Sequence, residues 1–359
     1  MHILSALDAI SPSIARSRLV LFSPFRRGRT WKLSATAYLS AGSTLFLPFP
    51  LIQLAFIPVL RQLGVPWVVP IMVTVVAVAM LIYLVLFVVF SRLRFASFDI
   101  VLNCGQFVAP AWRKYGPQSF KWALFKIVLG CLVAAAVAAP AVTYIHHMIT
   151  AFTGLNLTPG QQLPPQFIAS IFAGYAAFAL LYLCFGLYFW ASSLLSDFVV
   201  PSLALEDTTL GEAFRRLGVL IRSEPGQFTL YAVLKLGLAL TGYMAMTIGF
   251  YIVLLVVGLV FGLVVFVGYV IVHALGASAI VLTVLGGFCG VVGIILYLFL
   301  VFYVMWLGIG AVLTFLEAYP LYFLAGRYPL LGELLAAPTP LPAAVLPPDT
   351  PAFSAPPSQ

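Results

Sequence analysis

The side chains of this chain that could carry chemistry are few, and their spacing suits charge placement better than reaction. Asp99, Asp197 and Glu317 each stand at the end of a long apolar run, none at its centre. An intramembrane enzyme needs an acid, base, nucleophile or metal held at depth, where ionisable groups are costly and therefore informative. His146 and His147 are adjacent, and neighbours on a helix point about 100° apart, so the pair alone makes a poor chelate. His273 is solitary. Cys104, Cys131, Cys184 and Cys289 show neither metal-ligand spacing nor a disulfide pattern, and they read as free thiols buried among helices. The chain contains no HExxH, no GxSxG elbow and no GxxxxGK[ST] loop. These residues predict no enzyme, no cofactor and no metal.

The basic side chains are more informative. Lys126 and Lys235 occupy matching places a few residues inside two apolar runs, where a long side chain reaches back to lipid headgroups. Snorkelling anchors are expected there ahead of substrate contacts. Asp197 has two readings, a pair with an arginine of a neighbouring connector or, ahead of it, a helix-end charge or solvated acid. Together with the two lysines, Arg113, Lys114, Arg215, Arg216 and Arg222 are the expected contacts to anionic headgroups or to a partner.

These residues are positioned by residues 197–239, around which the chain is organised. Leu210, Ala213, Phe214, Leu217, Leu220 and Ile221 fall on one face at helical spacing, with Glu212, Arg215, Arg216 and Arg222 off it. Thr209 and Glu212 suit a capping box, and Glu224-Pro225-Gly226 ends the segment. The amphipathic helix is expected to lie on a membrane surface, with Phe214, Leu217 and Ile221 in the acyl boundary, and to feed a spanning helix. A weaker copy precedes it. Ala111-Trp112-Arg113-Lys114 leads to Trp122-Ala123-Leu124-Phe125-Lys126, as Ala213-Phe214-Arg215-Arg216 leads to Tyr231-Ala232-Val233-Leu234-Lys235.

Composition sets the class. The chain is 63% hydrophobic and 8% charged with a mean hydropathy of +1.12, far from the roughly 25% charged residues of a soluble domain. A polytopic membrane protein without a separate soluble catalytic domain is implied. The net charge of +8 comes from 18 Lys and Arg too dispersed for a nucleic-acid surface. Seventeen of them lie within residues 16–32, 92–126 and 215–235 or at Arg327, and only Arg61 falls elsewhere. By the positive-inside tendency those segments, and both termini, are cytoplasmic.

The expected architecture is all-α, with about six transmembrane helices in three hairpins alternating with amphipathic cytoplasmic surface helices. Residues 1–30 form a cytoplasmic interfacial segment in which Ile14, Arg16, Arg18, Leu19, Leu21 and Phe22 are modestly amphipathic. Residues 31–336 form the membrane domain, with connectors at 91–120 and 196–225. Spans are expected at 31–60, kinked or broken by Pro48 and Pro50, and at 67–90, 120–144 and 167–195, with an uncharged outer loop near 154–165. Residues 226–316 hold two long crossings or, for a total of eight, four shorter ones. Gly258 with Gly262, and Gly286 with Gly290, match small-xxx-small spacing, expected to serve internal packing ahead of dimerisation. Leu331-Gly332-Glu333-Leu334 echoes Leu210-Gly211-Glu212-Ala213 as the start of an incomplete unit. Residues 337–359 hold eight prolines and read as a disordered tail, dispensable for folding.

Ser91-Arg92-Leu93-Arg94-Phe95, Asp197-Phe198-Val199-Val200-Pro201, Gly211-Glu212-Ala213-Phe214-Arg215-Arg216-Leu217 and Gly326-Arg327-Tyr328-Pro329, with Ala111 to Tyr115 and Glu317-Ala318-Tyr319, carry a resemblance over most of the chain. It resembles a group of bacterial integral-membrane proteins without assigned activity. More distantly, it is similar to the membrane domain of some glycerophosphoryl diester phosphodiesterases. Their soluble hydrolase domain has no counterpart here, so lipid hydrolysis is not implied. The resemblance implies the bacterial inner membrane. The leading expectation is a non-enzymatic scaffold, assembly or lipid-organising factor, with membrane lipids, a protein partner or a second copy as its contacts and no nucleic acid. A transporter or channel is the alternative, for which Thr241, Tyr243 and Thr247 offer the nearest polar lining.

Overall fold

The computed structural model describes residues 3–23, 27–44, 46–48, 50, 57, 67–105, 107–153, 165–274, 276 and 279–336, with backbone alone at 27, 138–153, 166, 279–283, 285 and 289. The described residues form helices and connectors without strands: α1 (Ile10–Phe22), α2 (Arg27–Ala41), α3 (Val68–Asn103), α4 (Val108–Lys114), α5 (Gly116–Thr153), α6 (Pro165–Glu206), α7 (Leu210–Ser223), α8 (Pro225–Ala274), α9 (Ala279–Ala325) and α10 (Pro329–Ala336). The outer loop, the tail and most of residues 45–66 lie outside the described residues, as do the side chains of His146, His147 and Cys289.

Five of these helices contain segments long and apolar enough to cross a bilayer. They are longer than a crossing requires. At about 1.5 Å per residue, the 36 residues of α3 extend ~54 Å and the 50 of α8 ~75 Å, against a hydrocarbon core of about 30 Å. Burial shows what the excess does. In α3, Ile71, Val75, Val78 and Leu81 are exposed, whereas Phe95, Phe98, Val101 and Leu102 near its C-terminus are buried. The same division recurs in α8, where Phe228, Tyr231 and Ala232 are buried and Leu240 to Ile271 present many exposed apolar side chains. One end of the bundle is therefore a protein core, and the rest presents apolar surface suited to hydrocarbon.

That core is aromatic. Tyr231 stacks between Tyr319, at 4.9 Å between centroids, and Phe323, at 4.6 Å, while Phe198 meets Tyr231 at 5.1 Å and Phe228 at 5.2 Å. Offset and tilted rings of this kind add about 0.5–1.5 kcal/mol per pair beyond the area they bury. α10 closes the core with Leu331 and Leu335. A Cβ at Gly332 would sit 2.4 Å from the Ala325 carbonyl oxygen, so only glycine permits this approach.

Several expectations change. α2 ends at Ala41, well before Pro48 and Pro50, through three successive i→i+3 bonds of 3.0 Å from the amides of Gly42, Ser43 and Thr44. The Phe46 backbone then presses on α5, where a Cβ at Gly130 would lie 2.1 Å from its carbonyl oxygen. Residues 226–316 hold two continuous helices, α8 and α9, with Gly276 between them at φ 71°. Cys131 and Cys184 are exposed on apolar outer surface, not buried, and Cys104 is half-buried; all three are free. Nothing described lies within 4 Å of a Cβ at Gly262, Gly286 or Gly290, and Gly258 meets only the Tyr297 hydroxyl at 3.9 Å. Internal packing therefore does not explain those glycine pairs.

Candidate functional site

Where the apolar shafts meet the aromatic core, charged side chains from four helices converge. Arg94 of α3 donates to Asp197 of α6 at 3.1 Å and to Glu317 of α9 at 2.6 Å. Lys235 of α8 donates to the other oxygen of Asp197 and, at 2.7 Å, to Ser193 Oγ. Tyr231 Oη adds a 2.9 Å bond to Asp197 Oδ2. Glu317 also accepts from Ser40 Oγ of α2, at 2.7 Å, and from Ser97 Oγ. Both carboxylates are buried, and the Arg94 side chain keeps 15% of its surface. Each carboxylate oxygen is matched by a donor, which offsets the cost of burying the group.

Lys126 forms a second node beside the first. Its Nζ donates to the Ser192 carbonyl at 2.7 Å and to Thr44 O at 3.4 Å, contacts Ser192 Oγ, and lies 4.8 Å from the Trp122 ring centroid. The two lysines that match in the sequence thus land on consecutive serines of α6, Ser192 and Ser193. Trp122 and Tyr231, one helical turn before each lysine, are both fully buried. The snorkelling expected of Lys126 and Lys235 is overturned: both ammonium groups turn inward to oxygen acceptors on α6. Asp197 is likewise a paired, buried acid, not a solvated one. No spacing rule could have shown this, because the partners come from other helices. The one sequence signal was Asp197 itself, an acid set at the end of an apolar run.

The network borders a small cleft of about 10 Å³ lined by Arg94, Ser196, Asp197 and Glu317 with apolar neighbours, room for about one water. Thr241 and Thr247 take no part. Their hydroxyls return to Gly237 O and Tyr243 O of their own helix at 2.8 Å, and both face outward, so no polar lining forms there.

The connector helices carry the other basic residues. Thr209 Oγ1 accepts the Glu212 amide at 3.4 Å, which is half of a capping box. The Glu212 carboxylate does not return the bond but takes Arg215 at 2.8 Å and Arg216 at 3.0 Å, whose hydrogen bonds hold its carboxyl down at about 2. Arg216 also contacts Glu206. The apolar face of α7 is already occupied: Ala213 and Leu217 are buried, Phe214 packs on Phe125 at 5.2 Å, and Leu210 and Leu220 join the aromatic core. Of the side chains expected in the acyl boundary only Ile221 is exposed, because α6, with Phe125 of α5, offers α7 an apolar seat within the protein. Arg222 and Arg113 are exposed, and Lys114 pairs with Asp99 at 3.1 Å. The expected headgroup contacts thus divide into two buried lysines and five connector cations on the surface.

Fold and site together define an all-helical protein whose long apolar helices could span a membrane and are braced at one end by a buried ion network. Residues 4–334 match the family of unknown function DUF7544, and the chain belongs to that family. That match carries no link to the phosphodiesterase membrane domain. No curated protein matches the chain, and no solved structure does.

Proposed function

We propose that this is a non-enzymatic integral protein of the bacterial inner membrane, a scaffold, assembly or lipid-organising factor. The observation that carries the reading is the closure of the charged network. Arg94, Asp197, Lys235 and Glu317 spend their charge on one another around a space of about one water, so the network itself holds no substrate-sized cavity. Ionisable groups at such a depth are expected to be functional by default; here the function is to lock α3, α6, α8 and α9 in one register.

Six crossings and cytoplasmic termini fit the geometry. Arg327 Nη1 donates to Leu4 O at 3.0 Å and Tyr319 Oη to Ala6 O at 2.9 Å, contacts that support placing both ends on one side with an even number of crossings. In this reading α3, α5, α6, α8 and α9, each long and apolar enough to cross, account for five. With the connectors basic, that side is the cytoplasm.

Native mass spectrometry of the full-length protein released from mild detergent tests the reading. Retained anionic lipid or a stoichiometric protein supports a scaffold. A retained small solute, displaced by Arg94→Gln, would make the network a transport site and replace this reading with the transporter.

A further inference from the structure

α1 turns its polar face inward. Ser13, Arg16 and Ser17 are buried, and Arg16 donates through Nε to Val101 O at 2.9 Å and through Nη2 to Leu102 O. These are carbonyls of the last turn of α3, which a helix leaves without intrahelical partners and where its dipole favours a cation. The docking is thus polar through the middle of α1, with Val20 and Leu21 buried near its end, and it leaves other apolar side chains outside: Ile14 is 55% and Leu19 46% exposed, and Leu7, just before the helix, 57%, with the exposed Arg18 among them. They border an open depression of about 970 Å³. Trp31 and Lys32, at the start of α2, are exposed as well.

An apolar stripe interrupted and flanked by cations is the chemistry of a helix lying in an anionic bilayer surface. α7 has the stronger amphipathic pattern but has already spent its apolar face on the protein core. We propose that α1, not α7, is the helix by which this protein contacts anionic lipid, with Leu7, Ile14 and Leu19 entering the acyl boundary and Arg18 meeting headgroup phosphates. This rests on the membrane placement proposed above and not on the scaffold role. The cations select the bilayer over an apolar protein groove.

The test places a photo-crosslinking amino acid at Ile14 of the full-length protein in nanodiscs of phosphatidylcholine, with or without phosphatidylglycerol. The same crosslinker at Leu132, exposed on the apolar part of α5, serves as reference. Lipid adducts at both positions are expected, with the yield at Ile14 alone rising in anionic discs and falling about fivefold on Arg18→Gln. Adducts at Leu132 but none at Ile14 overturn the proposal and leave the membrane placement standing. Adducts at neither overturn the placement too. A protein adduct at Ile14, whether a second copy or another chain, also overturns the lipid assignment.

Discussion

Arg327 donates to the carbonyl of Leu4 at 3.0 Å, joining residues 323 apart in the chain, while its other nitrogens hold Glu224 at 2.7 Å and 3.1 Å. One buried guanidinium thus ties the N-terminal segment, the α7–α8 junction and the end of α9. It also carries a topological consequence, because segments that touch cannot lie on opposite sides of a membrane.

Thiol labelling reads that consequence directly. A cysteine in place of Ser223, exposed at the end of α7, should resist an impermeant reagent in intact spheroplasts, and one in place of the exposed Trp67 should react. Ser119 is a poor reporter despite its place in a connector, because it is buried and donates to Gly116 O. Reaction at Ser223 with protection at Trp67 would invert the protein.

Asp197→Asn removes the charge that Arg94 and Lys235 share. Breaking a buried pair from one side costs about 3–5 kcal/mol, since the remaining charges stay desolvated. Thermal unfolding of the purified variant should shift down by several degrees, and an unchanged transition would mean that water already enters the network.

The two lysines should respond differently. Lys126 is held by neutral oxygens and an aromatic face, so Lys126→Met, which conserves shape, should change stability by less than about 1.5 kcal/mol. Lys235→Met leaves Asp197 with one cation fewer and should cost more. The reverse order in chemical denaturation would reassign the anchoring role to Lys126.

Glu212 should titrate far below an ordinary carboxylate. Hydrogen bonds from Arg215, then Arg216, hold its carboxyl down at about 2, so its contribution to α7 is present above the ordinary value of 4.5 and lost as pH falls through about 2. Infrared difference spectra between the native protein and Glu212→Gln should place the carboxylate band's midpoint near 2. A midpoint near 4.5 would show that the arginines are engaged elsewhere.

What local chemistry governs was legible along the chain. Apolar runs between α3 and α9 fixed helices long enough to cross a bilayer, Thr209 and Glu224-Pro225 marked the ends of α7, and the matched positions of Lys126 and Lys235 were legible as a recurring pattern. Which way those side chains turn depends on packing between helices. Lys235 faces inward because Ser193 and Asp197 lie one helix away, and α1 leaves Ile14 and Leu19 exposed because its inner face carries Arg16 to the end of α3. Such partners are brought together by packing between helices far apart in the chain, and a helical period says which residues share a face without saying what that face meets.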